Sequence, residues 1–532
     1  MSFRSVFNWI GVGLIGAGFA VSLGRVVLHT ARAVDPEQVT VRFSHWQVEA
    51  GMREAFDAVA AEYMALNPKV RVEQLPCPGD VYSTFVRTRL IGGDPPELME
   101  QGRGLAPEQL VRHFRPLSPW LEEPNPYNVG TPLEGVPWRQ TFLGGLSQAP
   151  GLDTLFDYYA VPASEVASRM YYNIDMYRQI MGDAPLPANY RQFIAFCEQA
   201  EAWARRTGRN VSPVAGSSGT ANVLLLPLFR SQTQRLAQQA DALHTLRTPD
   251  NVLLSPAVTL DHPAIASGLK IMREVGRYMP PNFLQYDRDD AIFAFSQGRA
   301  VCLAAGSWDY VGIRNQSKFT IELTHLPLPT PEHPEYGRFT LGPVSELGQV
   351  GSVNLFLAQD GAHPEQAVDF LRYLTSVPGQ RTFVRISTWL PAVRHVEPHP
   401  ESAAFAPIEA GYSEGFVLSK FRWASGEVFR VFLNSARDML RSDGSVEQFL
   451  RDFAPEFPEA LINDTELELK RAFEYRQRQE SVLAGYDALV RREAPEARPR
   501  RSALLQIQNE EEAAALWKRL RLAQIKADME GR

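Results

Sequence analysis

The pattern of apolar and polar positions is clearest between Val39 and Arg103. VTVRFSHW and VRVEQLP read as strands rich in β-branched residues. The stretch between them places Phe56, Val59, Ala60 and Tyr63 on one face at helical spacing. A second helical stretch, VYSTFVRTRLIGG, leads into ELMEQGRG. This order predicts a βαβ unit and a parallel sheet, and loops at the carboxyl ends of such strands are where α/β proteins hold ligands. Here those loops carry Ser44, His45, Trp46 and Gln47, then Gln101, Gly102 and Arg103. The lining is polar and aromatic, without a catalytic signature.

Beyond this unit, residues 104–160 are rich in Pro, Gly and aromatics with weak periodicity, which predicts loops and short helices laid over this first domain. From Arg191 to Arg206, Phe193, Phe196, Cys197 and Ala200 share a helical face. The apolar strand Ala300 to Ala305 ends at Gly306, where the chain can turn so that Trp308 projects from the strand end. An ordinary core tryptophan is the alternative. PEQAVDFLRYLTSV predicts a helix that starts at Pro364 and has apolar residues at 367, 370, 371 and 374. Toward the C-terminus a charged helix runs from Asp464 to Arg492, REAPEARPRR reads as a linker, and a second helix spans about 504–529 with Leu505, Leu516, Leu520 and Ile525. That last helix is either a solvated helix packed back on the body or a helix that docks a partner.

At 532 residues, 45% hydrophobic and 22% charged, the chain can bury substantial cores in two or more domains. A net charge of −7 gives no basic footprint for nucleic acid. Cys77, Cys197 and Cys302 lie in no metal-binding or CxxC spacing and read as small buried hydrophobes, with one disulfide left open. No metal or cofactor is expected. Gly216-Ser217-Ser218-Gly219 lacks the spacing of a nucleophile elbow and reads as a flexible turn. Carboxylates are plentiful, but no pair can be assigned as a glycosidase acid and nucleophile.

The N-terminus bears on location. Ser5 to Gly24 is an uncharged, mostly apolar run between Arg4 and Arg25, and its 20 residues make about 30 Å of helix, enough to span a bilayer. Ala31-Arg32-Ala33 supplies a small-x-small cleavage site, so removal and retention both stay open. Within this run Gly11-Val-Gly13-Leu-Ile-Gly16 fits GxGxxG, but no strand precedes it inside a βαβ unit, which argues against nucleotide binding.

The order VTVRFSHWQ, AAEYMALNPKVRVEQLP, VYSTFVRTRLIGGDPPELM, RMYYNIDMYRQIMG, AIFAFSQGRAVCLAAGSWDY, EQAVDFLRYLTSVPGQ with TWLPA, and FRWASGEVFRVFLNSA resembles the bacterial extracellular solute-binding proteins of ABC importers, in their maltose-binding-like sugar branch. The resemblance spans roughly 39–453. It implies an α/β fold of two lobes, each a mostly parallel sheet flanked by helices, joined by three hinge crossovers near 165–172, 322–327 and 375–383. The expected division is 1–33 as signal or anchor, 38–166 with 327–376 as the first lobe, 167–326 with 377–490 as the second, and 491–532 as a charged extension. The function implied is binding rather than catalysis, with a carbohydrate as ligand and ABC permease subunits as partners. The location implied is periplasmic or extracytoplasmic, with membrane attachment through residues 5–24 if that segment is uncleaved. In the family a tryptophan at the Trp308 position stacks on a sugar ring. Sugars carry polar rims and apolar CH faces, so Trp46, Trp308 and Trp423 are the expected aromatic planes. Gln47, Tyr82, Arg103, Asp309, Gly351 and Trp389 are their expected companions. The family's lipid-modified cysteine is absent here. A carbohydrate-active enzyme and a membrane-anchored carbohydrate sensor are the alternatives.

Overall fold

The computed structural model describes residues 38–49, 51–101, 105, 107–146, 149–150, 157–243, 249–346, 351–419, 426–492 and 497–531. The apolar segment 5–24 with its GxGxxG, Arg103 and Trp423 lie outside the described residues.

The strands form two sheets. In the first, β2 (Val70–Pro76), β1 (Val39–His45), β3 (Leu98–Glu100), β9 (Gly351–Leu357) and β4 (Ala160–Glu165) lie side by side in that order. In the second the order is β6 (Ser212–Val214), β7 (Ala300–Gly306), β5 (Ser168–Asn173) and β8 (Ile321–Thr324). One strand in each sheet runs against the others, β9 in the first and β5 in the second. Both are the strands by which the chain enters a lobe from the other one. The remaining strands end at the boundary between lobes, so a strand that begins there must point the opposite way.

Alternate residues of a strand face opposite sides of a sheet, and here both sides are apolar. Leu98, Leu355 and Leu357 join one cluster of the first lobe while Met99 and Phe356 join another. Met170 and Tyr172 face the main core of the second lobe, and Tyr171 faces a smaller one. Helices therefore cover each sheet on both faces. Helix α1 (Met52–Leu66) buries Phe56, Val59, Ala60 and Tyr63 as its periodicity predicts, and α2 (Gly79–Gly92) covers the other face with Tyr82 and Val86. In the second lobe α3 (Tyr190–Thr207) buries Phe193, Phe196, Cys197 and Ala200, and α4 (Ser218–Leu243) packs beside α5 (Pro263–Gly276). All three cysteines are free, and burial raises the thiol pKa of Cys197 and Cys302.

Two crossovers lie elsewhere than the sequence places them. LTHLPLPTP does not cross: Leu326, Leu328, Tyr336 and Phe339 all pack on the second lobe's core, and the first lobe is next entered at β9, which begins at Gly351. The stretch 375–383 does not cross either. Helices α7 (Pro364–Leu374) and α8 (Val377–Ser387) both bury their apolar faces in the first core, followed by Trp389, Ala392, Val393 and Val396. The third passage therefore runs between Val396 and Phe405, which belongs to the second lobe.

Arg169 ties the three passages together. Its guanidinium is 1% exposed and sits just past the first crossing. It donates to both carboxylate oxygens of Glu346 at 2.8 and 3.0 Å, to Ser168 O at 2.7 Å, to Ala404 O at 3.0 Å and to Ala406 O at 2.7 Å. Glu346 in turn accepts from Ile408 N at 2.8 Å. Every N–H of the fork is used, the condition under which a buried guanidinium is tolerated.

Among the described residues, the C-terminal part packs on the second lobe. Asp464 of α10 (Val446–Arg491) caps the start of α9 (Gly426–Met439), accepting from Glu427 N and Val428 N at 2.9 Å each. Helix α11 (Ala497–Glu530) returns antiparallel along α10 and packs Trp517 and Ile525 on the second core, with Arg521 donating to Leu254 O at 2.8 Å. Among the described residues no helix is long and apolar enough to cross a membrane.

Replacing Arg169 with Met leaves Glu346 without its counter-charge and strips the Ala404–Ala406 carbonyls of their donors. We expect a loss of about 3–5 kcal/mol in urea denaturation. A loss under about 0.5 kcal/mol, the range of a neutral surface change, would show that the crossovers do not depend on this guanidinium.

Candidate functional site

The strand ends that meet at the lobe boundary bring together three loops. From the end of β1 come Ser44 to Glu49, from the end of β3 Glu100 and Gln101, and after β7 Ser307 to Asp309. Beside the first crossing, Ser307 N donates to Ala167 O at 2.8 Å, continuing the pairing of β5 with β7 up to the boundary.

Trp46 is half-buried, and its indole meets the Tyr82 ring edge-on with centroids 5.2 Å apart. Tyr82 is buried from α2, and its hydroxyl donates to Ser44 O at 3.0 Å. Burial raises its pKa far above the ordinary tyrosine range. Tyr82 thus serves as a wall that holds Trp46.

The lobe-two contribution is Trp308. Its indole folds back over Gly306, where an added Cβ would come within 2.3 Å of a ring carbon, so only glycine permits this pose. The half-buried ring does not project into open space. It reaches across the boundary and rests against the apolar cluster of the first lobe.

Three carboxylates line the same region. Glu100 is fully buried, accepting from Gln47 Nε2 at 2.5 Å and from Trp46 N at 3.2 Å. Desolvation pushes its pKa up to about 8 against these two donors, and Glu49 adds to the rise. Asp309 is also buried and pairs with Arg288 at the start of α6 (Arg288–Ser296). Burial raises its pKa to about 6, Arg288 opposes the rise, and Glu49, from the other lobe, contributes to it. Glu49 Oε2 and Gln101 Nε2 are buried without a hydrogen-bond partner among the described residues.

Of the residues expected at the site, Trp46, Gln47, Tyr82, Trp308 and Asp309 converge. Gly351 stands at the start of β9, paired with Glu165 beside the first crossing. Trp389 is 5% exposed and packs in the first-lobe core, where it supports the sheet instead of facing the boundary. Arg103 and Trp423 lie outside the described residues. Gly216 to Gly219 lead into α4, with Thr220 N donating to Ser217 Oγ at 3.0 Å, and Gly216 is packed against Met279 and Phe283. Glu49, Glu100 and Arg288 were missed. The only signal for Glu100 was a carboxylate closing the apolar pair Leu98-Met99.

Chemically, the arrangement offers two indole planes, one per lobe, with carboxylate and amide groups beside them. Glu100 has both oxygens engaged and no exposure, which keeps it from acting as a nucleophile on a bound substrate. No group of His, Cys, Asp and Glu suited to a metal ion occurs among the described residues.

Comparison with known proteins adds the following. The pattern of the bacterial extracellular solute-binding protein family matches residues 131–408, just over half of the chain. No curated protein matches. Among solved structures, the apo form of RafE from Streptococcus pneumoniae is similar, with a TM-score of 0.54 at 16% identity over 79% of this chain and 98% of that one. The GacH receptor of Streptomyces glaucescens, solved unliganded and with acarbose, gives 0.52 at 13% identity over 80% and 98%. Lmo0181 from Listeria monocytogenes, an ABC substrate-binding protein in complex with cycloalternan, gives 0.51 at 14% over 79% and 98%. At these identities the likeness is one of fold.

The burial of Glu100 makes stability depend on pH. The unfolded chain ionises this group near its ordinary 4.5, while the folded protein keeps it neutral up to about 8. Its contribution is therefore fully present below about 4.5 and is lost as pH rises through about 8, by a few kcal/mol at most. In Glu100→Gln that loss should vanish, so the variant gains on the wild type between pH 5 and 9. Parallel melting profiles over this range would contradict the assignment.

Proposed function

The chain belongs to the bacterial extracellular solute-binding protein family, and from that premise we propose that it captures a sugar or oligosaccharide between its lobes and hands it to an ABC permease outside the cytoplasm. The observation that carries this reading is the pair of indoles, Trp46 and Trp308, one from each lobe, at strand ends that also gather Gln47, Glu49, Gln101 and Asp309. Aromatic planes match the CH faces of a sugar, and acceptors match its hydroxyls. Gly351, Arg103 and Trp423 complete the proposed lining, as the sequence resemblance implies. Similar folds have been solved with raffinose and with acarbose, which makes these the first ligands to try.

Residues 5–24 provide the proposed attachment to the membrane where they are retained. Mass spectrometry of the mature N-terminus decides this, and a chain beginning near Val34 would leave a freely diffusing binder.

Calorimetry with raffinose, acarbose and chitin oligosaccharides tests the binding. Trp46→Ala and Trp308→Ala should each weaken the best ligand by about 1–3 kcal/mol, or roughly 5- to 150-fold, with folding retained. Unchanged affinity in both variants would move the site elsewhere, and cleaved ligand recovered after incubation would replace binding by hydrolysis.

Ligand should also shift open molecules toward closed ones around the Arg169 hinge. Small-angle scattering should register a smaller radius of gyration with bound sugar. Equal radii with saturating ligand would argue against closure.

A further inference from the structure

Helix α11 carries a second surface. Its exposed side presents Ala513, Leu516, Leu520, Ala523 and Ala527 in spacings of three and four, the repeat of a coiled-coil seam. Leu516 and Leu520 are 60% and 62% exposed, whereas the opposite side of the same helix holds Lys518 and Leu522 buried toward the body. The helix thus has one seam used within the chain and one left outward. An outward heptad seam is matched by another helix, because each apolar knob needs a hole of four residues to fill.

The order Ala513, Leu516, Leu520, Ala523 reads the same in both directions. A two-fold interface demands this property, since one patch must complement itself. Antiparallel pairing centred at Lys518 sets Leu516 against Leu520 of the second copy, and Ala513 against its Ala523. The flanking positions then place Glu512 opposite Lys526 twice, once on each side of the axis. Both side chains are about half exposed and available from outside. Arg519 meets its own copy at the rim, where its stem can carry the charge into solvent.

We propose that α11 pairs with α11 of a second copy of this chain, forming an antiparallel two-fold dimer through the Ala513–Leu516–Leu520–Ala523 seam. A single helix pair falls at the small end of specific interfaces, so the dissociation constant belongs in the micromolar range.

Sedimentation equilibrium of the full chain, as cells produce it, tests the pairing over micromolar to submillimolar concentrations. The expected result is a monomer–dimer equilibrium that Leu516→Glu with Leu520→Glu weakens at least 10-fold while the melting temperature stays unchanged. Glu512→Lys and Lys526→Glu should each weaken the dimer, and the two together should restore it. Within one chain these groups bond to Arg476 and Glu466, so the double change mends no intrachain pair and restoration reports the contact between copies. A wild-type chain that stays monomeric throughout, or a dimer that survives the Leu516 and Leu520 changes, would overturn the proposal.

Discussion

A guanidinium taken fully out of water is tolerated only where each N–H is donated and the charge is met, and Arg169 fulfils both conditions at the place where three passages of chain run between the lobes. Its fork is planar and rigid, so the segments it binds are fixed relative to β5 and to one another. Glu346 stands just before the second passage and Ala404 to Ala406 just after the third begins its course in the second lobe. The pivot is thereby defined on the lobe-two side by hydrogen bonds. Loop entropy is limited at three points by one residue.

Strand reversal follows from the same layout. A lobe entered from the boundary begins with a strand that leaves the boundary, and its neighbours, entered from the far side, end there. Their carboxyl ends collect the polar and aromatic loops of both lobes at one level. The candidate site is in this sense a product of connectivity, and the side chains of Trp46, Trp308 and the carboxylates are added to it.

Much of this was legible in the sequence where a signal is local. The faces of α1, α3 and α7 follow from apolar spacing, and the strand ending at Gly306 follows from its composition. Trp46 and Trp308 were placed at the lobe boundary for the same reason, since each follows a strand. The crossovers were not legible, because an apolar helix face does not say which of two sheets it covers, and α8 could have packed on either. Arg169 and Glu346 are 177 residues apart and nothing in spacing joins them. Trp389 was misread because a tryptophan beside a hinge looks alike whether it supports a sheet or faces a ligand. Glu100 was missed because its unusual protonation arises from burial, which belongs to the folded state alone.

Among the described residues, the helical hairpin of α10 and α11 packs on the second lobe. When the lobes rotate, the hairpin travels as cargo of that lobe, and no surface it covers is gained or lost. Whatever the hairpin holds is therefore thermodynamically silent toward the state of the cleft: a tether and a ligand switch can occupy one chain without taxing each other.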